Sequence, residues 1–192
     1  MDHYIQKVVA LANAHKEGRP FFIAIDGHSA AGKSTLARRL AASFHHNVAV
    51  VYTDDFYRPM NEEKRFRLTA QEGYEYYYDW QRLKQEVIQP LSVSKVAVFK
   101  VYDWQNNKLG DWKTIEPANV VIVEGCYSAR PELVPFFDLI ILVETSPDER
   151  RRRQAERNDA PQAWMDRWDA AELVYIEMTN LPSRADMVVA GL

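Results

Sequence analysis

"FFIAID", Phe21 to Asp26, runs directly into "GHSAAGKST", Gly27 to Thr35, and this stretch decides the fold. The first six residues form an unbroken apolar run ending in an acid, the pattern of a strand buried on both faces. Gly27 and Gly32-Lys33-Ser34 then satisfy G-x-x-x-x-G-K-[ST]. "GKSTLARRLAASF", rich in Ala, Leu and Arg, reads as the helix that follows. A glycine-rich loop between a strand and a helix brings backbone N–H groups and a helix N-terminus to bear on an anion. Gly27, Ser29, Ala30, Ala31, Gly32, Lys33, Ser34 and Thr35 therefore form a candidate ATP-binding loop. Lys33 would reach the β- and γ-phosphates, and the Ser34 hydroxyl would ligate Mg²⁺.

The rest of the chain repeats the strand–helix alternation. "NVAVVYT", "NVVIVEG" and "DLIILVE" are further buried strands, and "ADMVVA" closes the chain as another. Residues 3–16 place Ile5, Val8, Val9 and Ala12 at helical spacing. "DWQRLKQEVIQPL" reads as a helix stopped by Pro90, "KVAVFKVYDW" as a strand, and "RPELVPFF" as a short helix. Residues 55–78 are polar and aromatic without a clear period. "TSPDERRRRQAER" carries helix-start chemistry: Ser146 as N-cap, Pro147 at the first position and Glu149 closing a capping box. A long last helix spans "PQAWMDRWDAAELVYIEMT". The fold class is α/β: a P-loop three-layer α/β/α sandwich on a mainly parallel five-stranded sheet, in one domain over 1–192.

Composition restricts the function classes. The chain of 192 residues is 47% hydrophobic and 27% charged, enough apolar material for a core without disulfides. Its one cysteine, Cys126, sits in the apolar "VIVEGCY" and reads as a small packed residue. Nothing approaches a membrane span, and the first residues lack the pattern of a signal peptide, so the cytoplasm is the expected location. A net charge of −3 argues against nucleic acid or an anionic membrane as partner. The expected partners are ATP and a small-molecule acceptor; a homo-oligomer stays open. "NNKLGD" fails the guanine motif N-K-x-D at its fourth place, Gly110.

Three more features point to phosphoryl transfer. Glu124 ends the run "VVIVE" and, beside the loop, reads as a second metal-side carboxylate. Asp54 and Asp55 follow "NVAVVYT", and ligands collect at the carboxyl ends of strands in open α/β sheets. Asp54 there could take the proton of an acceptor hydroxyl. Arg150, Arg153 and Arg157 fall on one helical face, while Arg151 and Arg152 point elsewhere. Beside "NDAPQA", that face could close over the transferring phosphate and exclude water. The aromatics of "GYEYYYDW" could stack a flat ligand or simply pack, whereas Trp164 and Trp168 read as core.

The chain resembles the uridine kinase–phosphoribulokinase group. The resemblance rests on "IAIDGHSAAGKST", "TDDFYRP", "YDW", "VYDW", "VIVEG", "FDLIILVETSPDERRRRQAERN" and "RADMVV", in that order. It implies an ATP- and Mg²⁺-dependent kinase for a small-molecule hydroxyl, with the 5′-hydroxyl of a nucleoside such as uridine first. It also implies Asp54 as catalytic base with Lys33, Arg150, Arg153 and Arg157, and Tyr57, Asp79 and Tyr102 around the acceptor. An N-terminal helix over 1–18, an acceptor-binding insert over about 55–110 and an arginine lid over about 147–162 complete the layout. The family's histidine five places after Tyr102 is Asn107 here, its "DHPDAFD" reads "DWQRLKQ", and Asp55 replaces a small residue. Pantothenate, a sugar or a sugar phosphate as acceptor, or a non-catalytic ATP-binding regulator, remain alternatives.

Overall fold

A computed structural model describes residues 2–45, 47–157 and 160–191. In chain order the helices and strands are α1 Asp2–Ala14, β1 Phe21–Asp26, α2 Lys33–Ala42, β2 Val48–Tyr52, α3 Glu62–Arg67 and α4 Ala70–Tyr76. Then follow α5 Trp80–Arg82, α6 Gln89–Ser92, β3 Ala97–Asp103, β4 Lys108–Ile115, β5 Val120–Glu124 and β6 Leu139–Glu144. The last are α7 Pro147–Arg157, α8 Gln162–Thr179, α9 Leu181–Arg184 and β7 Met187–Ala190.

Five strands form one parallel sheet in the order β2-β5-β1-β6-β7. Its central strands are buried throughout, as their unbroken apolar runs require. Period-two alternation then sorts their side chains between two helical layers. On one face Ile23, Ile25, Ile122 and Ile141 pack against Ile5 and Val8 of α1 and Leu36, Ala37 and Leu40 of α2. On the other, Phe22, Val121 and Val123 meet Leu83, Val87 and Leu91. Further along that face Ala24, Ile140 and Leu142 meet Tyr74, Tyr127 and Tyr175. The expected three-layer α/β/α sandwich is therefore observed. Among the described residues, no helix is long and apolar enough to cross a membrane.

Pro90 does not stop its helix. Residues Leu83–Ile88 form a π turn, and the Gln89 N–H donates to the Lys84 carbonyl, five residues back. The widened turn gives the proline ring room, and the helix continues to Ser92. The region without a period holds a 3₁₀ turn, Thr53–Phe56, and then α3 and α4. Each helix is too short for a visible stripe and is set by its cap. Asn61 accepts from the Lys64 N–H, and Thr69 forms a full capping box with Glu72. Strand β4, mostly exposed, pairs antiparallel with β3 as a separate hairpin that was not expected. "RPELVPFF" contributes only the 3₁₀ turn Val134–Phe136. At α7 the Glu149 N–H does reach Ser146 Oγ at 3.4 Å. The Glu149 carboxylate, expected to complete that box, goes instead to Arg152 and Arg153.

Asp26 ties these layers together where β1 ends. Its fully buried carboxylate accepts from the Gly27 N–H at 2.6 Å, the Ala129 N–H at 2.7 Å and the Tyr175 hydroxyl at 2.7 Å. Asp26→Ala strands three buried donors, each costing about 1 kcal/mol or more. Urea denaturation should show a loss of about 3 kcal/mol; a loss below about 1 kcal/mol would mean that water or a rearrangement replaces the carboxylate.

Candidate active site

The sheet order brings the site together. Strand β5 lies between β1 and β2, with Glu124 paired in register with Ile25 on one side and Tyr52 on the other. The loop after β1, the carboxylate ending β5 and the 3₁₀ turn after β2 thus meet at the carboxyl edge of the sheet. They surround a cavity of about 440 Å³. Ser29, Ala30, Gly32, Lys33, Ser34, Thr35, Asp54, Glu124 and Arg157 all line it.

The phosphate loop requires its glycines. Gly27 has φ 137°, and a Cβ there would lie 2.3 Å from the Val143 carbonyl oxygen on β6. Gly32, at φ 102°, caps α2, whose first-turn N–H groups then face the cavity. Lys33 is buried, with its ammonium donating to the His28 carbonyl at 2.8 Å and to Cys126 Sγ at 3.4 Å. Burial opposes its charge, but Cys126, Glu172, Glu124 and Asp26 outweigh that and raise its pKa above the usual lysine value. Cys126 is buried as expected, and burial pushes its thiol well up.

Two strand-end acids, Glu124 and Asp54, share the cavity with this ammonium. Glu124 is almost fully buried, which raises its pKa; Lys33 and a hydrogen bond from the Ser34 hydroxyl act the other way. A hydroxyl and a carboxylate set together beside the loop are an oxygen-only donor pair, which suits a hard dication such as Mg²⁺. Asp54 opens onto the cavity, yet protein surrounds it closely enough that burial raises its pKa. Lys33 and the Tyr78 hydroxyl, which donates to Asp54 Oδ1 at 3.1 Å, partly offset this. Tyr78 reaches Asp54 because its segment pairs with the one after the 3₁₀ turn: Tyr57 bridges Tyr78, and the Asp79 N–H donates to the Phe56 carbonyl.

The arginines of α7 divide. Arg153 donates to the Ala30 carbonyl at 3.2 Å, directly over the loop, and Arg157 lines the cavity. Arg150 is buried and turns to Asp169 of α8, at 3.3 Å, so it does not line the cavity. Arg151 pairs with the exposed Asp148, and Arg152 with Glu149 and the exposed Glu156, all on their own helix, as their angular positions predict. Of the stretch "NDAPQA", Asn158 and Asp159 lie outside the described residues.

At the far end the cavity wall is Tyr78, Trp104, Met165 and Trp168. Tyr57, Asp79 and Tyr102 are not among the residues that line the cavity: Tyr57 and Tyr102 are buried against Trp104, and Asp79 lies elsewhere, partly exposed. The buried Tyr57 ring stacks on Trp104, with centroids 4.7 Å apart, and its hydroxyl accepts from Trp168 Nε1 at 2.9 Å. Asp79 caps α5 through the Arg82 N–H and pairs with Arg58. The Tyr102 hydroxyl donates to Asn107 Oδ1 at 2.8 Å. Asn107 also accepts from Arg65 and donates to the Met60 carbonyl, so its amide is consumed in holding the insert together. Trp168 packs as its spacing predicts, and it faces the cavity as well.

Glu172 is the site residue that no motif marks. It lies on α8, accepts from the Ser29 N–H at 2.8 Å and the Ser29 hydroxyl, and is 3.3 Å from His28 Nδ1. The one signal in the chain is helical phase, since Trp168, Glu172 and Tyr175 share the buried stripe of α8. A second His–carboxylate group, His15 with Glu17 and Asp138, lies near the opposite edge of the sheet, where Arg19 neutralises both acids.

Comparison with known proteins agrees with this geometry. The uridine kinase of Halobacterium salinarum is 28% identical over 142 residues, covering 72% of this chain and 62% of that protein. The uridine kinase of Alkaliphilus metalliredigens is 30% identical over 148 residues, covering 73% of this chain and 69% of that protein. The chain thus spans less than two thirds of the first relative's length and slightly more of the second's. A solved structure described as a possible uridine kinase from Bacillus stearothermophilus superposes with a TM-score of 0.76. It covers 98% of this chain and 100% of that one at 23% identity, a likeness of fold. The family model for phosphoribulokinase and uridine kinase matches residues 22–167, from β1 through the arginine helix to α8. With the loop, Asp54, Glu124 and the arginine-bearing helix α7 all inside that match, the chain belongs to the phosphoribulokinase/uridine kinase family.

Proposed function

We propose that the protein transfers the γ-phosphoryl group of ATP to a hydroxyl of a small molecule, with the 5′-hydroxyl of a nucleoside such as uridine as the leading acceptor. The observation that carries this reading is Asp54, which shares one cavity with Lys33 and Glu124. An acid with a raised pKa, pointed into a phosphate site, suits proton acceptance from an attacking hydroxyl. Lys33, the N–H groups of the loop and first turn of α2, and Arg153 and Arg157 stabilise charge on the transferring group. Mg²⁺, when bound, supplies neutralisation of the phosphate oxygens, and Ser34 with Glu124 would hold it. Arg150 contributes by fastening the lid helix to α8 through Asp169.

The aromatic end supports a flat acceptor. Trp104, Trp168 and Tyr78 offer stacking surface for a planar base, with Met165 on the same cavity wall. This favours a nucleoside. Asn107 keeps a second reading, a kinase for pantothenate or a sugar, because its amide is already committed to Met60, Arg65 and Tyr102. ADP release measured over nucleosides, pantothenate and sugars separates the readings. Release should depend on an added acceptor and be fastest with nucleosides. Dependence on pantothenate or a sugar alone selects the second reading, and release indifferent to acceptor sinks both.

A further inference from the structure

We propose that Glu172 is a positioning residue for nucleotide binding, a strut from α8 that holds the first half of the phosphate loop in its binding shape. A carboxylate only 3% exposed is costly unless its partners justify it. Its partners here all belong to the site. The Ser29 N–H donates to it at 2.8 Å, the Ser29 hydroxyl bonds it, His28 Nδ1 lies at 3.3 Å and Cys126 Sγ at 3.1 Å.

The His28 carbonyl is also the acceptor for the Lys33 ammonium, at 2.8 Å. The strut therefore fixes the residue that holds the phosphate-binding lysine in place. Committing the Ser29 N–H to Glu172 leaves the first-turn N–H groups of α2 for phosphate. Helix α8 also presents Met165 and Trp168 to the acceptor end, so one rigid element sets both ends of the cavity.

The inference rests on the kinase reading only in that the loop takes a nucleotide, so its test needs no acceptor. Titrating the full chain with Mg·ADP by calorimetry compares Glu172→Ala, Glu172→Asp and Glu172→Gln, with thermal melts as a folding check. Glu172→Ala and Glu172→Asp withdraw the oxygen from Ser29, and each should weaken binding about tenfold in a chain that is still folded at the titration temperature by its melt. Glu172→Gln keeps the reach and an acceptor oxygen, and should bind within about threefold of the parent. Where Glu172→Ala fails to fold, the Asp and Gln pair decides. Binding by Glu172→Asp within about twofold of the parent overturns the inference. So does a loss in Glu172→Gln as large as in Glu172→Asp. A parent that does not bind Mg·ADP sinks the kinase reading and this inference together, whereas a binding parent with indifferent variants sinks the inference alone.

Discussion

Lys33→Ala is expected to lower phosphoryl transfer by about 10³-fold. The ammonium is the buried cation of a cavity whose wall also carries Asp54, Glu124 and Glu172. Removing it withdraws a preorganised donor from the transferring phosphate and leaves three carboxyls facing a polyanion. At an effective dielectric of 20, like unit charges at 4 Å repel by about 4 kcal/mol. The change also has a pH signature. Lys33 lowers the pKa of both Asp54 and Glu124, so its loss lets both rise further. Each then takes up its proton at a higher pH, and the acid limb of residual activity should move upward. ADP release at saturating acceptor across a pH series checks both statements. Turnover within tenfold of the parent would remove the loop from the mechanism.

Asp54→Asn should cost about 10²- to 10⁴-fold in kcat, the range for a positioned general base. The amide keeps the size and the hydrogen bond from Tyr78 but cannot take the proton. Nucleotide affinity should change little, because Lys33 and the loop N–H groups do not depend on Asp54. In the proposed mechanism Asp54 acts in its ionised form. Its raised pKa places the acid limb of kcat/KM above the ordinary aspartate value of about 3.9. Tyr78→Phe removes a bond that favours the carboxylate, so it should raise that limb further. Transfer by Asp54→Asn at the parental rate to every acceptor would show that the proton leaves by another route.

The parts of the site that were legible in the chain are those where chemistry demands a local pattern. A phosphate loop must place glycines, lysine and serine at fixed offsets, so "GHSAAGKST" is readable without a structure. Buried parallel strands must be apolar without interruption, and all five strands of the sheet were expected. Glu172 had no such pattern. It is one acid on a long helix, and its meaning comes from Ser29, more than a hundred residues away. The insert was also opaque. Helices α3 and α4 are set by single caps, and hairpin strand β4 is too exposed to carry an apolar rhythm. The effect of Pro90 depends on the turn before it, and a π turn leaves space for the ring.

The chain by itself determined the sheet's strands, the loop that takes a phosphate and the identity of the acids at the strand ends. These follow from short-range rules of burial, backbone conformation and spacing. Only the tertiary structure decided which residues meet. Strand order put β5 between β1 and β2 and so set Glu124 and Asp54 beside Lys33. Packing against Trp104 and Trp168 withdrew Tyr57 and Tyr102 from the cavity surface, and Asp79 turned to Arg58 and the start of α5. Docking of α7 turned Arg150 toward Asp169, and docking of α8 seated Glu172 on the loop. Adjacency between strands and helices is a property of how buried surfaces fit, and no local stretch of residues encodes it.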